Sequence, residues 1–215
     1  MTGFDPLCRQ CPRLAAHLDA VKRQHADYHC APVPPFGDDQ ARLLVVGLAP
    51  GMHGANATGR PFTGDHAGIL LYRTLHEFGF ASAPASLSRD DGLQLHDCRI
   101  TNAVKCLPPE NKPTGSEINR CRNYLAAELE ALPGGAVVLA LGGIAHRSVL
   151  AATGLVASRH PFGHEQLHAL PGERWLLSSY HCSRYNTQTR RLTEPMFRQV
   201  FARARALLDA NGASA

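Results

Sequence analysis

The chain is poor in lysine, in long apolar runs and in nucleotide fingerprints. Its 22 basic residues include only three lysines, at 22, 105 and 112. No apolar run approaches the ~18–20 residues that cross a bilayer. The opening "MTGFDPLCRQCPRL" has no basic start followed by an apolar stretch, so no secretory signal is visible and the cytoplasm is the expected compartment. No Gly-Lys-Ser/Thr closes a phosphate loop, and no G-x-G-x-x-G marks a dinucleotide site. In a reducing compartment the seven cysteines point to metal binding or catalysis rather than disulfides. The arginine excess fits a polyanionic partner, and it fits a GC-rich genome equally well.

A length of 215 residues suits a single domain over 1–215, with monomer as the default. Four apolar stretches read as strands: "LLVVGLA", "CRITNAV", "AVVLALGG" and "WLLSSYH". Between and after them lie helical patterns, the clearest being "TGSEINRCRNYLAAELEALPGG". There Thr114 and Glu117 have capping-box spacing and Pro-Gly-Gly stops the helix. Alternating strands and helices predict an α/β domain with a short, mostly parallel sheet covered on both faces. Ligands of such sheets gather at the carboxyl ends of the strands. Three unusual stretches fall there: 47–65, 102–114 and 181–189.

The first, "GLAPGMHGANATGRPFTGD", is built almost wholly of small residues. Gly47, Ala49, Gly51 and Gly54 let a flat ligand approach the backbone closely. Phe62 offers a stacking face. Asp65 precedes a helix and fits an N-cap, and the same carboxylate can orient a water. In the second, Asn102 can pair one donor and one acceptor with a base edge, while Asn111 sits among prolines as a turn residue would. In the third, His181 ends a strand. Ser183, Arg184 and Asn186 supply short donors suited to phosphates and sugar oxygens, as a solvated loop also would. "HPFGHEQLH" places His160, His164 and His168 at intervals, but its glycine and proline favour a polar loop over a metal site. Cys8 and Cys11 form a C-x2-C pair, and Cys106 and Cys121 complete four thiolates that could surround a cubane cluster or one zinc.

Taken together, the three stretches and the four cysteines resemble the iron–sulfur uracil-DNA glycosylases, and most closely their family 5, or type B. The resemblance runs from Cys8 to the C-terminal helix. It implies a three-layer αβα fold with a four-stranded, mostly parallel sheet, and an N-terminal segment stapled by a [4Fe-4S] cluster on Cys8, Cys11, Cys106 and Cys121. It implies excision of uracil from DNA, double- or single-stranded, leaving an abasic site in base excision repair. Other families carry an acid in the first motif where this chain has "GLAPG", with Leu48 and Ala49. The family-5 pattern points instead to Asp65 and Asn111 near the reacting carbon. His181 is retained, followed by Cys182 where many relatives have proline.

On this reading a flipped base lies against Gly47, Leu48, Ala49, Gly51, Gly54 and Phe62, with Asn102 at its edge. His181 donates to the departing base, and Asp65 and Asn111 hold the water. Ala49 and Gly54 leave room for hypoxanthine and 5-substituted uracils. No lysine stands where it could attack the sugar, so no strand-cleaving lyase activity is expected. The rival readings are a non-catalytic nucleic-acid-binding module with a structural metal centre and a redox protein.

Overall fold

The computed structural model describes residues 3–212, so the outermost positions of the expected 1–215 domain lie outside the described residues. Helix α1 (Pro12–Gln24) follows the C-x2-C pair and begins on a proline, whose missing N–H has no helical partner to lose. Strand β1 (Phe36–Gly37) leads to β2 (Leu43–Gly47), a short helix α2 (Ala55–Thr58), α3 (His66–Glu77) and β3 (Cys98–Asn102). Then come α4 (Gly115–Glu130), β4 (Val137–Leu141), α5 (Gly143–Ala152), β5 (Leu167–Leu170), β6 (Arg174–Ser179), α6 (Arg184–Gln188) and α7 (Glu194–Gly212). The Thr114–Glu117 capping box of α4 is formed in both directions.

The four strands legible in the sequence run parallel in the order β3-β2-β4-β6. The expected four-stranded sheet is nevertheless too small. Two antiparallel edge strands, β1 against β3 and β5 against β6, make it a mixed six-stranded sheet. Neither edge carries an apolar run. β1 has two residues, and β5 contains His168, so the expectation of a loop through that histidine fails where the chain pairs with β6. An edge strand is bonded on one side only, and its sequence is correspondingly less constrained.

Alternation along the buried strands divides the core. Leu43 and Val45 of β2 face Leu71 and Leu75 of α3 and Phe197 and Phe201 of α7. Leu44 and Val46 face Leu125 and Leu129 of α4 and Val149 and Leu150 of α5. Helices thus cover both faces, as expected for strands apolar on both sides. A third cluster packs Leu14, Leu18 and Val21 of α1 against Cys11, Cys106, Cys121 and Tyr124. In the register of β2 and β3, Gly47 stands opposite Asn102. That pairing brings the first two unusual stretches together at one end of the sheet.

Candidate active site

A cavity of about 360 Å³ opens at the carboxyl ends of these strands. Leu48, Ala49 and Gly51 line it from the loop after β2. Asn102 and Asn111 line it from the segment after β3, and His181, Ser183 and Arg184 from the segment after β6. Phe62 and Asp65 contribute from the turn before α3. Three expected residues, Gly47, Gly54 and Asn186, are not in the lining.

Each of those three acts from behind. A Cβ on Gly47 would lie 2.3 Å from Asn102 Oδ1 and 2.7 Å from Phe62 Cζ. One on Gly54 would lie 2.7 Å from Asp65 Cβ. The expectation that Gly54 leaves room for a large base is therefore corrected. The space it vacates is filled by the aspartate, and Gly47 likewise admits protein groups. Asn186 donates through Nδ2 to the His181 carbonyl at 2.8 Å and so holds the histidine's backbone.

The turn before α3 is tightly determined. Phe62 adopts φ of +55° and is buried. Asp65 caps α3, Oδ1 accepting from the Gly68 N–H at 2.9 Å. Its other oxygen faces Gly51 and Gly54. The cap therefore uses one carboxylate oxygen and leaves the second toward the cavity.

The segment after β6 is held on two sides. Cys182 is fully buried, and its thiol donates to the Ala67 carbonyl at 3.4 Å. Where a proline would stiffen the chain, packing and this contact tie it to α3. Ser183 caps α6, Oγ accepting from the Asn186 N–H at 3.4 Å. Burial holds the His181 imidazole below its ordinary pKa, opposed in part by the charge of Asp65. The ring is neutral at pH 7, and among the described residues its nitrogens have no hydrogen-bond partner. Asn102 is 3 % exposed, and its amide likewise has no protein partner among the described residues. The Asn102 amide is not sealed off, so its donor and acceptor are open to a ligand in the cavity.

Ala55, His66 and Ala67, which stand outside the motif residues named above, also line the cavity. His66 follows Asp65 directly, and that adjacency at the start of a helix was the available signal. Its Nε2 lies 3.1 Å from Thr187 Oγ1, bridging α3 and α6.

The sequence model of the uracil DNA glycosylase superfamily matches residues 34–205. The chain belongs to the uracil-DNA glycosylase superfamily. It is 51% identical over 205 residues to a type-5 uracil-DNA glycosylase of Thermus thermophilus, covering 93% of each chain. It is 44% identical over 203 residues to a type-5 enzyme of Pyrobaculum aerophilum, covering 93% of this chain and 88% of that one. A type-5 enzyme of Mycobacterium leprae is 43% identical over 209 residues, with 94% and 91% covered. Among the superfamily's branches, these similarities place the chain with type 5.

Away from the cavity of this type-5 chain, the four expected cysteines gather beneath α1. Burial, and then the neighbouring Cys121, Cys8 and Cys11, push the Cys106 thiol up to about 12. The Cys121 sulfur accepts from the Lys105 N–H at 3.5 Å. Among the described residues no three or more His, Cys, Asp or Glu side chains are placed to hold a single metal ion. The four are free thiols, half-buried to buried, from two distant segments, and thiolate is the ligand type that zinc and iron–sulfur centres both take. No described helix is long and apolar enough to cross a membrane.

Proposed function

We propose that this chain excises uracil, and with it hypoxanthine and 5-substituted uracils, from single- or double-stranded DNA in base excision repair. One observation carries the reading: the buried, partnerless Asn102 amide opens into the same cavity as Phe62, Asp65 and the neutral His181. The nucleotide flips out of the stack at a cost of a few kcal/mol. Its base lies against Phe62, and Asn102 pairs with its edge. Breaking the glycosidic bond sends negative charge onto the base and positive charge onto the sugar. His181 donates a hydrogen bond to the base oxygen as that charge grows. The free Asp65 oxygen and Asn111 orient the attacking water and favour the cationic sugar. Ser183 and Arg184 contact the strand. Asn186 acts through the His181 carbonyl.

The breadth of substrate now rests on the cavity volume and on Ala49, since Gly54 serves Asp65. No lyase step is part of the proposal. Lys105 is buried and paired with Glu128 at 2.7 Å, Lys112 pairs with Glu110, and Lys22 donates to the Tyr28 carbonyl. Cys8, Cys11, Cys106 and Cys121 would hold a [4Fe-4S] cluster, whose contribution there is to cross-link the N-terminal segment to the sheet domain. The protein acts on this reading as a cytoplasmic monomer.

The direct experiment incubates the purified protein with duplexes carrying each lesion and reads abasic sites by alkaline scission. Uracil duplexes left intact would overturn the proposal and favour a module that binds nucleic acid without chemistry. Iron and sulfide near four each per chain support the cluster; one zinc would exclude it.

A further inference from the structure

The segment that carries Asn111 has few hydrogen bonds of its own. Glu110 and Asn111 stand at φ of +54° and +56°, in succession. That backbone region disfavours residues with a Cβ, so something must hold the turn. Its backbone bonds are local, from the Asn111 N–H to the Pro108 carbonyl at 3.1 Å and from the Lys112 N–H to the Pro109 carbonyl at 3.0 Å. Among the described residues, a single hydrogen bond joins 109–113 to a distant part of the fold. It comes from Arg13, at the start of α1, whose Nη2 donates to the Lys112 carbonyl at 3.1 Å.

The same guanidinium forks onto Glu117, Nε to Oε1 at 2.8 Å and Nη2 to Oε2 at 2.7 Å. Glu117 is buried, and its Oε2 also accepts the Thr114 N–H at 2.7 Å. One side chain therefore grips the loop beside Asn111 and, through Glu117, the point where the loop enters α4. A planar fork suits this task, because its donors are fixed relative to one another. The Arg13 side chain is 43% exposed, so its pairing adds little as bulk electrostatics and acts through geometry.

We propose that Arg13 is a positioning residue for the reaction: it holds the 109–113 loop so that Asn111 stands in the cavity wall. This rests on the reading of Asn111 as a water-holding group. It gives α1 a part in catalysis from outside the cavity. The competing explanation is that Arg13 only docks the N-terminal helix.

A double-mutant cycle on the full chain, purified with its metal centre, separates the two. Arg13→Gln should lower the single-turnover rate on saturating uracil duplex about tenfold or more, as small misplacements of a positioned group do. Duplex affinity should stay within about twofold of its starting value, since the interactions that bind DNA remain. In an Asn111→Ala background, Arg13→Gln should add no further loss. Glu117→Gln, which loosens the fork from its other side, should repeat the pattern if Arg13→Gln folds poorly. Arg13→Lys, keeping charge but not the fork, should recover only part of the rate. Amide exchange at Lys112 should speed up in Arg13→Gln while the amides of Leu18 and Val21 stay protected. Additive losses, or an unchanged rate where Asn111→Ala is slow, would overturn the proposal. If Asn111→Ala itself is as fast as the unmodified protein, the role given to Asn111 fails first, and the premise goes with it.

Discussion

The Phe62 and His181 rings lie 6.0 Å apart, centroid to centroid, with 27° between their planes. A base stacked between two rings needs two contacts of ~3.5 Å, or roughly 7 Å in all. The gap is therefore too narrow for a base to slide between them. On the proposed reading the base would lie against Phe62 with His181 at its margin, where a hydrogen bond rather than stacking is the available interaction.

His181→Ala should slow single-turnover excision by ~10²–10³-fold, the loss typical of one preorganised donor. Because burial keeps the ring neutral, the rate should hold level above about pH 6.5, the ordinary imidazole value. A rate that falls on the alkaline side with His181 still in place would show that the charged ring is the donor.

Asp65 caps α3 and faces the cavity, and two variants divide those roles. Asp65→Asn keeps an acceptor for the Gly68 N–H, so thermal stability should change little while the excision rate collapses. Asp65→Ala should lose the rate and also ~1 kcal/mol of stability with the cap. DNA affinity should fall far less than the rate in both. A fast Asp65→Asn would remove the carboxylate from the mechanism.

Gly47→Ala and Gly54→Ala should damage activity by displacing Asn102 with Phe62, and Asp65, respectively. Gly115→Ala is the control, since a Cβ there meets nothing within 4 Å. It should leave excision unchanged. Lesion assays on folded, purified variants check all three, and an active Gly47→Ala would contradict the tight approach of Phe62 and Asn102.

Stability should be greatest between about pH 6.5 and about pH 8.5 and decline below that window; above it the unfolded chain ionises thiols that burial keeps protonated at Cys98 and Cys182. Burial depresses the pKa of His29, His146, His164 and His181, so the unfolded chain takes up protons first as pH falls. The carboxylates act in the same direction lower down. Arg13 holds Glu117 below its usual range; burial opposes the same shift at Asp91, but Arg60 and backbone N–H groups prevail. Their contribution is present above about pH 4 and lost beneath it. Thermal melts across pH 3–8 measure both steps, and a flat profile between about pH 7 and pH 5 would contradict the buried imidazoles.

The parallel strands and the capped α4 were legible because burial on both faces and capping are local patterns of residue type. So were Asp65 as a cap and the strand-end position of Asn102. The edge strands at 36–37 and 167–170 were not, because they exist only through bonds to β3 and β6. The short helix α6 hid in a polar run that reads as loop. Gly47 and Gly54 were recognisable as places without side chains, but what fills the space depends on residues 15 and 11 positions away in Phe62 and Asp65. Composition and periodicity determined which elements form and which residue types could carry chemistry. Only the folded chain decided that Gly54 serves Asp65, that Asn186 holds the His181 backbone and that Arg13 reaches the Asn111 loop. Those facts depend on distances between segments far apart in sequence, and such distances are settled by packing.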